Sequence, residues 1–199
     1  MKKLHLLLVP VVVLAASLGL AACGGGGGES DEDKIVSVIE ESVTSTDPAI
    51  CEETQTLSFM EQTTSSSGKD AEKECEEETE DEGSSDPDSV DVSKVEADGG
   101  KATAEVGFTG GTFDGQALEV ALVEEEGDWK LDELTGFAKF DPAPFVGELA
   151  KQLEEEPEIE PQVASCIVEG LEEAPKDQLE ALVIENNTEP VTELAESCE

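Results

Sequence analysis

Residues 101–109 read KATAEVGFT and residues 117–123 read ALEVALV, and these two stretches decide the fold class. In both, apolar side chains recur at every second position, which is the period of a β-strand. One face of the first stretch is apolar at Ala102, Ala104, Val106 and Phe108. The alternate face of the second stretch is also largely apolar, at Ala117, Ala121 and Val123. We therefore predict that this alternate face is covered, by the C-terminal helices.

Two further runs of the same period lie on either side of these stretches. Val90 and Val92 alternate before them, and Trp129 and Leu131 alternate after them. Turn signals separate the runs at 98–100, 110–115 and 124–128. Three turns between four alternating runs predict an antiparallel meander of four strands.

A helical period of apolar side chains flanks the meander on both sides. Before it, we predict helices over about 33–46, from Asp47-Pro48 onward, and over 70–78, with Asp47 as the N-cap of the second. The helical period returns after Asp141-Pro142. The predicted fold is α+β: N-terminal helices packed on a curved antiparallel four-stranded meander, followed by a helical C-terminal extension.

The N-terminus has the order of a bacterial export signal. Lys2 and Lys3 form a short basic region, and an almost wholly apolar run follows over Leu4–Leu20. The run ends in LAAC at residues 20–23. That tetrapeptide resembles the lipobox of bacterial lipoproteins. The alternatives are an uncleaved anchor or an ordinary Ala-x-Ala cleavage.

The lipobox resemblance implies diacylglycerol on the thiol of Cys23 and removal of residues 1–22. Two or three acyl chains hold a protein stably on a bilayer, whereas one binds marginally. The five glycines that follow Cys23 fit a flexible tether, which we place at residues 23–32. We therefore expect a protein on the extracytoplasmic face of the cell membrane, anchored through Cys23.

The charge balance excludes several classes of partner. The 199 residues carry 50 Asp and Glu against 11 Lys, a formal net charge of −39, which becomes −41 once Lys2 and Lys3 leave with the leader. Binding to nucleic acid or to anionic headgroups is not expected of such a chain. An adaptation to salt is one interpretation of the acidity. The mature chain also lacks His, Arg and Tyr, so chemistry based on histidine is excluded.

Four cysteines remain beyond Cys23, namely Cys51, Cys75, Cys166 and Cys198. An even number in an exported chain predicts two disulfides, for which three connectivities exist. Sequence position favours Cys51–Cys75 and Cys166–Cys198, since each pair lies within one helical region. A metal site is the rival interpretation, but the chain has neither a C-x-x-C pair nor a histidine beyond the leader to complete one. We expect no metal and no cofactor.

Several short motifs resemble exported bacterial nuclear transport factor 2-like domains. They are DPAIC at 47–51, FMEQT at 59–63 with Cys75, DGGKATA at 98–104 and GDWKL at 127–131. The resemblance covers about 31–140, which we assign to residues 33–140 as one domain, with 141–199 as the helical extension. It implies a cone in which a curved sheet wraps helices around a pocket.

The resemblance leaves the function open between binding and catalysis. Phe59, Phe108, Trp129 and Phe137 are candidates to line the pocket, although a core without a ligand also explains them. We expect a non-catalytic module that binds an unknown protein or a small apolar ligand, with no catalytic residue assigned. The alternative is an isomerase-like enzyme that uses a buried carboxylate in the pocket.

Overall fold

The computed structural model describes residues 30–64, 66–80, 87–155 and 159–198. The leader, Cys23 and the glycine tether up to residue 29 lie outside the described residues. Helices precede and follow one four-stranded antiparallel sheet, so the predicted α+β class is confirmed. The described helices include none that is long and apolar enough to cross a membrane.

The sheet is an antiparallel meander in the order in which its strands occur in the chain. Its strands are β1 (Ser89–Asp98), β2 (Lys101–Thr109), β3 (Ala117–Glu125) and β4 (Asp128–Lys139). The β1–β2 turn is tight because Gly99 and Gly100 both adopt positive φ, which glycine accepts without steric cost.

Irregular pairing curves the sheet. The register between β3 and β4 shifts at three places, and the register between β1 and β2 shifts once, between Ser93 and Glu96. Lys94 lies within that last shift at a φ of 52°. At such a shift one strand has an extra residue, a β-bulge, which bends the strand and increases the local twist. Buried side chains line the concave face at alternate positions of β2, β3 and β4.

In the described part of the chain, four helices precede the sheet: α1 (Asp31–Thr44), α2 (Ile50–Thr54), α3 (Leu57–Thr63) and α4 (Lys69–Glu80). Ser30 caps α1 in a reciprocal box with Asp33, and these hydrogen bonds lower the pKa of the Asp33 carboxyl. The prediction that Asp47 is the N-cap of α2 is wrong, because Ala49 holds that position. The Asp47 carboxylate accepts a hydrogen bond from the backbone N–H of Ala49, just before the helix begins.

The single helix predicted after Asp47 is two helices. The chain leaves the helical conformation at Gln55 and Thr56, where the backbone N–H of Thr56 donates to the carbonyl of Leu131 in β4 at 2.8 Å. Thr56 then caps α3 by accepting from the N–H of Phe59. The helical spacing of apolar residues continues through the break, so periodicity alone does not reveal it.

Among the residues described after the sheet there are four helices: α5 (Pro142–Glu155), α6 (Pro161–Glu172), α7 (Lys176–Ile184) and α8 (Glu189–Cys198). α6 carries three buried apolar residues, whereas α8 carries none that is fully buried. The C-terminal helices pack around Phe140 and Phe145 rather than across the sheet. This cluster and the core beneath the sheet both contact Phe137 and Val183.

The prediction that a layer covers the outer face of the sheet is wrong. No described helix packs there, and Thr103, Glu119 and Glu133 on that face are exposed. Ala117, Ala121 and Val123 are half-buried among longer neighbours, including Glu105, which pairs with Lys94 at 2.6 Å. Short apolar side chains between long charged ones do not require a second layer, because the aliphatic stems shield them.

Candidate functional site

A cavity of about 740 Å³ lies between the concave face of the sheet and the helices, and we call it the inner cavity. Sixteen of its 22 lining residues are apolar. The floor is formed by buried side chains of the sheet and of α1, including Val120, Leu131 and Ile39. Ligand sites in proteins are typically about 300–1,000 Å³ and mostly apolar, with a few polar groups, and the inner cavity has these properties.

Helices from both ends of the chain form the walls of the inner cavity. Ile39 of α1 and Phe59 of α3 contribute on the N-terminal side. Leu149 of α5, Val183 of α7 and residues around the start of α8 contribute on the C-terminal side. The segment predicted as an extension is therefore part of the cavity wall.

A row of phenylalanines connects the sheet to the C-terminal helices along the inner cavity. Phe113, in the β2–β3 turn, stacks against Phe108 and Phe145 with ring centroids 5.6 and 6.1 Å apart. Phe140 continues the row to Phe137 at 4.5 Å. Aromatic pairs at these separations add to the free energy gained by burying area.

Polar groups line the inner cavity only where its wall is exposed or half-buried. They are Thr63, Glu78, Thr112, Gln152, Asn186 and Thr188. Several already donate within the protein: Gln152 Nε2 to Thr112 Oγ1 at 2.7 Å, and Asn186 Nδ2 to the carbonyl of Thr64 at 2.5 Å. The polar groups therefore mark the mouth, and the floor is apolar.

Glu78 of α4 is the one ionisable residue among the described residues that line the inner cavity. Partial burial raises the pKa of its carboxyl above 4.5, and the neighbouring charge of Glu74 raises it further. The residue as a whole is exposed, which places it at the mouth rather than at the floor. The buried carboxylate expected for an isomerase is not found among the described lining residues.

The four aromatic residues predicted to line a pocket lie in different places. Phe59 and Phe108 line the inner cavity. Phe137 packs against Phe140 beside it. Trp129, at the start of β4, is 3% exposed and borders a separate depression of about 630 Å³ between α1, α2 and the β3–β4 turn. The Nε1 of Trp129 is buried and finds no hydrogen-bond acceptor within the described chain.

The depression beside Trp129 differs from the inner cavity in its lining. Six carboxylates and two ammonium groups border it, namely those of Glu41, Glu52, Glu53, Glu125, Glu126, Asp128, Lys34 and Lys130. Lys130 is engaged in the fold, because its Nζ donates to the carbonyl of Glu52 at 2.7 Å. Nowhere in the described segments are three acidic or cysteine side chains placed to hold a metal ion.

Both predicted disulfides are present in the structure. Cys51 of α2 bonds Cys75 of α4, and Cys166 of α6 bonds Cys198 of α8. The first disulfide is buried with Met60 and Ala71 in a small cluster of its own. The second is half-buried between two C-terminal helices. Each disulfide thus fixes a pair of helices on one side of the inner cavity.

Two glutamines that the sequence analysis missed attach the helices to the sheet. Gln62 of α3 accepts from the N–H and donates to the carbonyl of Leu134, both at 2.8 Å, and also donates to the carbonyl of Ile184. Gln116, 2% exposed, accepts from the N–H and donates to the carbonyl of Asp141. Each side-chain amide bonds both the N–H and the carbonyl of one residue, as a neighbouring strand would. No local sequence pattern distinguishes either glutamine from an ordinary polar residue.

Comparison with protein families, with characterised proteins and with solved structures returned no match to this chain.

Proposed function

We propose that this protein is a non-catalytic, membrane-anchored lipoprotein that binds a small apolar ligand in the inner cavity. The observation that supports ligand binding is the cavity itself, with its 740 Å³ volume and largely apolar lining. Protein interiors contain few voids larger than a water molecule, so a largely apolar recess of this size is a candidate binding site.

The sequence supports the anchor and the location. The basic start, the apolar run and the LAAC tetrapeptide favour lipid on Cys23, and the glycines after it provide a spacer. The first described helix begins at Asp31, shortly after that spacer. Mass spectrometry of the N-terminal peptide tests this: diacylglycerol on Cys23 is expected, and an N-terminus at any other residue contradicts it.

The fold supports the proposed likeness to nuclear transport factor 2-like domains. Helices precede a curved four-stranded meander, a disulfide joins two of them, and a cavity lies inside the curve. That likeness implies a pocket and leaves its ligand open.

Binding is favoured over isomerase chemistry by the composition of the cavity lining. An isomerase of this kind needs a carboxylate base and a second acidic group to stabilise an oxyanion. Glu78 is the one carboxyl in the described lining, and the sequence contains no Tyr. A single carboxyl at the mouth of the cavity does not provide both groups.

A fluorescence titration with N-phenyl-1-naphthylamine, a neutral apolar dye, tests ligand binding. The probe should brighten on adding the mature chain carrying Cys23→Ser, exported so that its disulfides form. Val120→Phe fills the floor and should weaken probe binding at least about tenfold, because the added ring occupies ligand volume. Val123→Phe, three residues along the same strand but on the outer face, is the matched control and should leave binding unchanged.

Circular dichroism and a thermal melt establish that each variant folds. If Val120→Phe does not fold, Val191→Trp on the half-buried wall of the cavity serves instead. The proposal fails if the wild-type chain does not bind the probe, or if folded cavity variants bind it as well as the control does.

A further inference from the structure

The charge around the inner cavity has a single sign. Glu78 carries a carboxyl group, and none of the described lining residues is a lysine. The full sequence has a formal net charge of −39 and contains no arginine. A carboxylate or phosphate ligand therefore meets like charge at the mouth and finds no cationic partner among the lining residues that the structure describes.

The remaining groups near the mouth suit a positive charge. Phe108 and Phe113 are half-buried and line the cavity, with their ring centroids 5.6 Å apart. Aromatic faces attract ammonium groups, most strongly where water is partly excluded. The Thr63 hydroxyl donates to the carbonyl of Phe59, which leaves its oxygen as an acceptor.

Apolar and polar lining residues are separated along the cavity. Val106, Leu118, Val120 and Leu131 are buried, whereas every polar lining residue is half-buried or exposed. A ligand with one apolar end and one polar end matches this separation, since each end meets its own kind of surface.

We infer that the ligand of the inner cavity is a cationic amphiphile, with its alkyl or aryl body on the apolar floor and its ammonium head beside Glu78. This inference rests on the proposed ligand-binding function and adds the chemical class of the ligand. The carboxylate supplies the attraction for the head, and the largely apolar lining receives the body of the ligand.

Three probes of equal chain length test this inference: dodecyltrimethylammonium, 1-dodecanol and dodecanoate. Each is titrated, below its micelle concentration, against the dye-loaded chain at low salt and about pH 8, where carboxyl groups are ionised. We expect dodecyltrimethylammonium to displace the dye about tenfold more tightly than dodecanol, and dodecanoate to be the weakest.

Glu78→Gln should lower the ratio of the affinity for dodecyltrimethylammonium to the affinity for dodecanol from about ten to about one. Glu133→Gln, which removes an equal charge from the outer face, is the control and should leave this ratio unchanged. Equal binding of dodecanoate and the cation, or equal losses in the two variants, would overturn the inference. Displacement by none of the three probes would instead contradict the proposed function itself.

Discussion

The N-terminal and C-terminal helices form opposite walls of one cavity but are held in different ways. On the N-terminal side, α3 contacts β4 through Thr56 and Gln62, and the Cys51–Cys75 disulfide is buried. On the C-terminal side, α8 has no fully buried residue, and its disulfide is half-buried. Fewer buried contacts allow local opening at lower free energy. We therefore expect the C-terminal wall to open locally more readily than the N-terminal wall.

Gln62 joins the two walls to each other and to the sheet. Its amide binds Leu134 of β4 and Ile184 at the end of α7. Asn186, two residues after the end of α7, adds a second connection by donating from Nδ2 to the carbonyl of Thr64. The C-terminal wall is thus attached to the N-terminal wall as well as to the sheet, so damage to α3 should also affect α7.

The largest effect is expected from removing the N-terminal disulfide. Cys51→Ala with Cys75→Ala should lower the free energy of unfolding by about 3–5 kcal/mol, because chain entropy is released and a buried cluster loses volume. Cys166→Ala with Cys198→Ala, which opens a loop of similar length at a half-buried site, should cost about 1 kcal/mol less. Urea unfolding measures both values. If removing the C-terminal disulfide lowered the free energy of unfolding more than removing the N-terminal one, the N-terminal wall would not be the more firmly held of the two.

An intermediate effect is expected at Gln62. Gln62→Ala should cost about 1–3 kcal/mol, because the N–H and carbonyl of Leu134 lose their partner. Hydrogen exchange should accelerate at Leu134 and also across α7. Gln116→Ala removes the similar contact to Asp141 and should accelerate exchange at the start of α5 alone. If α7 stays protected in Gln62→Ala, the two walls are not coupled through this residue.

A smaller effect on stability is expected from alanine substitutions at two glycines of the C-terminal helices, and it should differ between them. Gly147→Ala in α5 should stabilise the protein by about 0.5–1 kcal/mol, because its added Cβ meets open space and alanine favours the helix. In Gly170→Ala the new Cβ would lie 2.3 Å from Leu194 of α8, so Leu194 must move and the gain is lost. Thermal melts should rise for the first variant and not for the second. Equal gains would show that α6 and α8 are not closely packed.

The smallest effect concerns the titration of Glu78 in the N-terminal wall. Its raised pKa means that the folded state holds this proton to a higher pH than the unfolded state does. The contribution of Glu78 to stability therefore falls as the pH rises from its unfolded pKa through its folded pKa. Glu78→Gln should remove that fall and stabilise the protein slightly above this range. Parallel stability–pH curves for the variant and the wild type would contradict the assigned shift.

The sheet and the disulfides were predictable because their signals are local. Alternation in KATAEVGFT and ALEVALV determines which face of each strand is buried, and Gly99-Gly100 determines one turn. Both cysteine pairs are close in sequence within one helical region. Phe108 could be placed at the inner cavity because it lies on the apolar face predicted for residues 101–109, whereas Phe59 was a candidate only through the pocket that the family resemblance implies.

The features that could not be predicted from the sequence depend on contacts between residues far apart in the chain. The break at Gln55 and Thr56 forms because Leu131, 75 residues after Thr56, supplies a strand partner. Gln62 and Gln116 appear as ordinary polar residues until the chain folds around them. Trp129 lies on the inner face, as its alternation indicates, but its distance from the cavity depends on where α1 and α2 pack along the strands.

Methyl NMR of the disulfide-bonded mature chain, titrated with N-phenyl-1-naphthylamine, is the most direct test of ligand binding in the inner cavity. The predicted result is saturable shifts at Ile39, Val106, Val120 and Val183, which line the cavity, and no shift at Val123 on the outer face. Shifts confined to the outer face or to the depression beside Trp129, or no shifts at all, would contradict it.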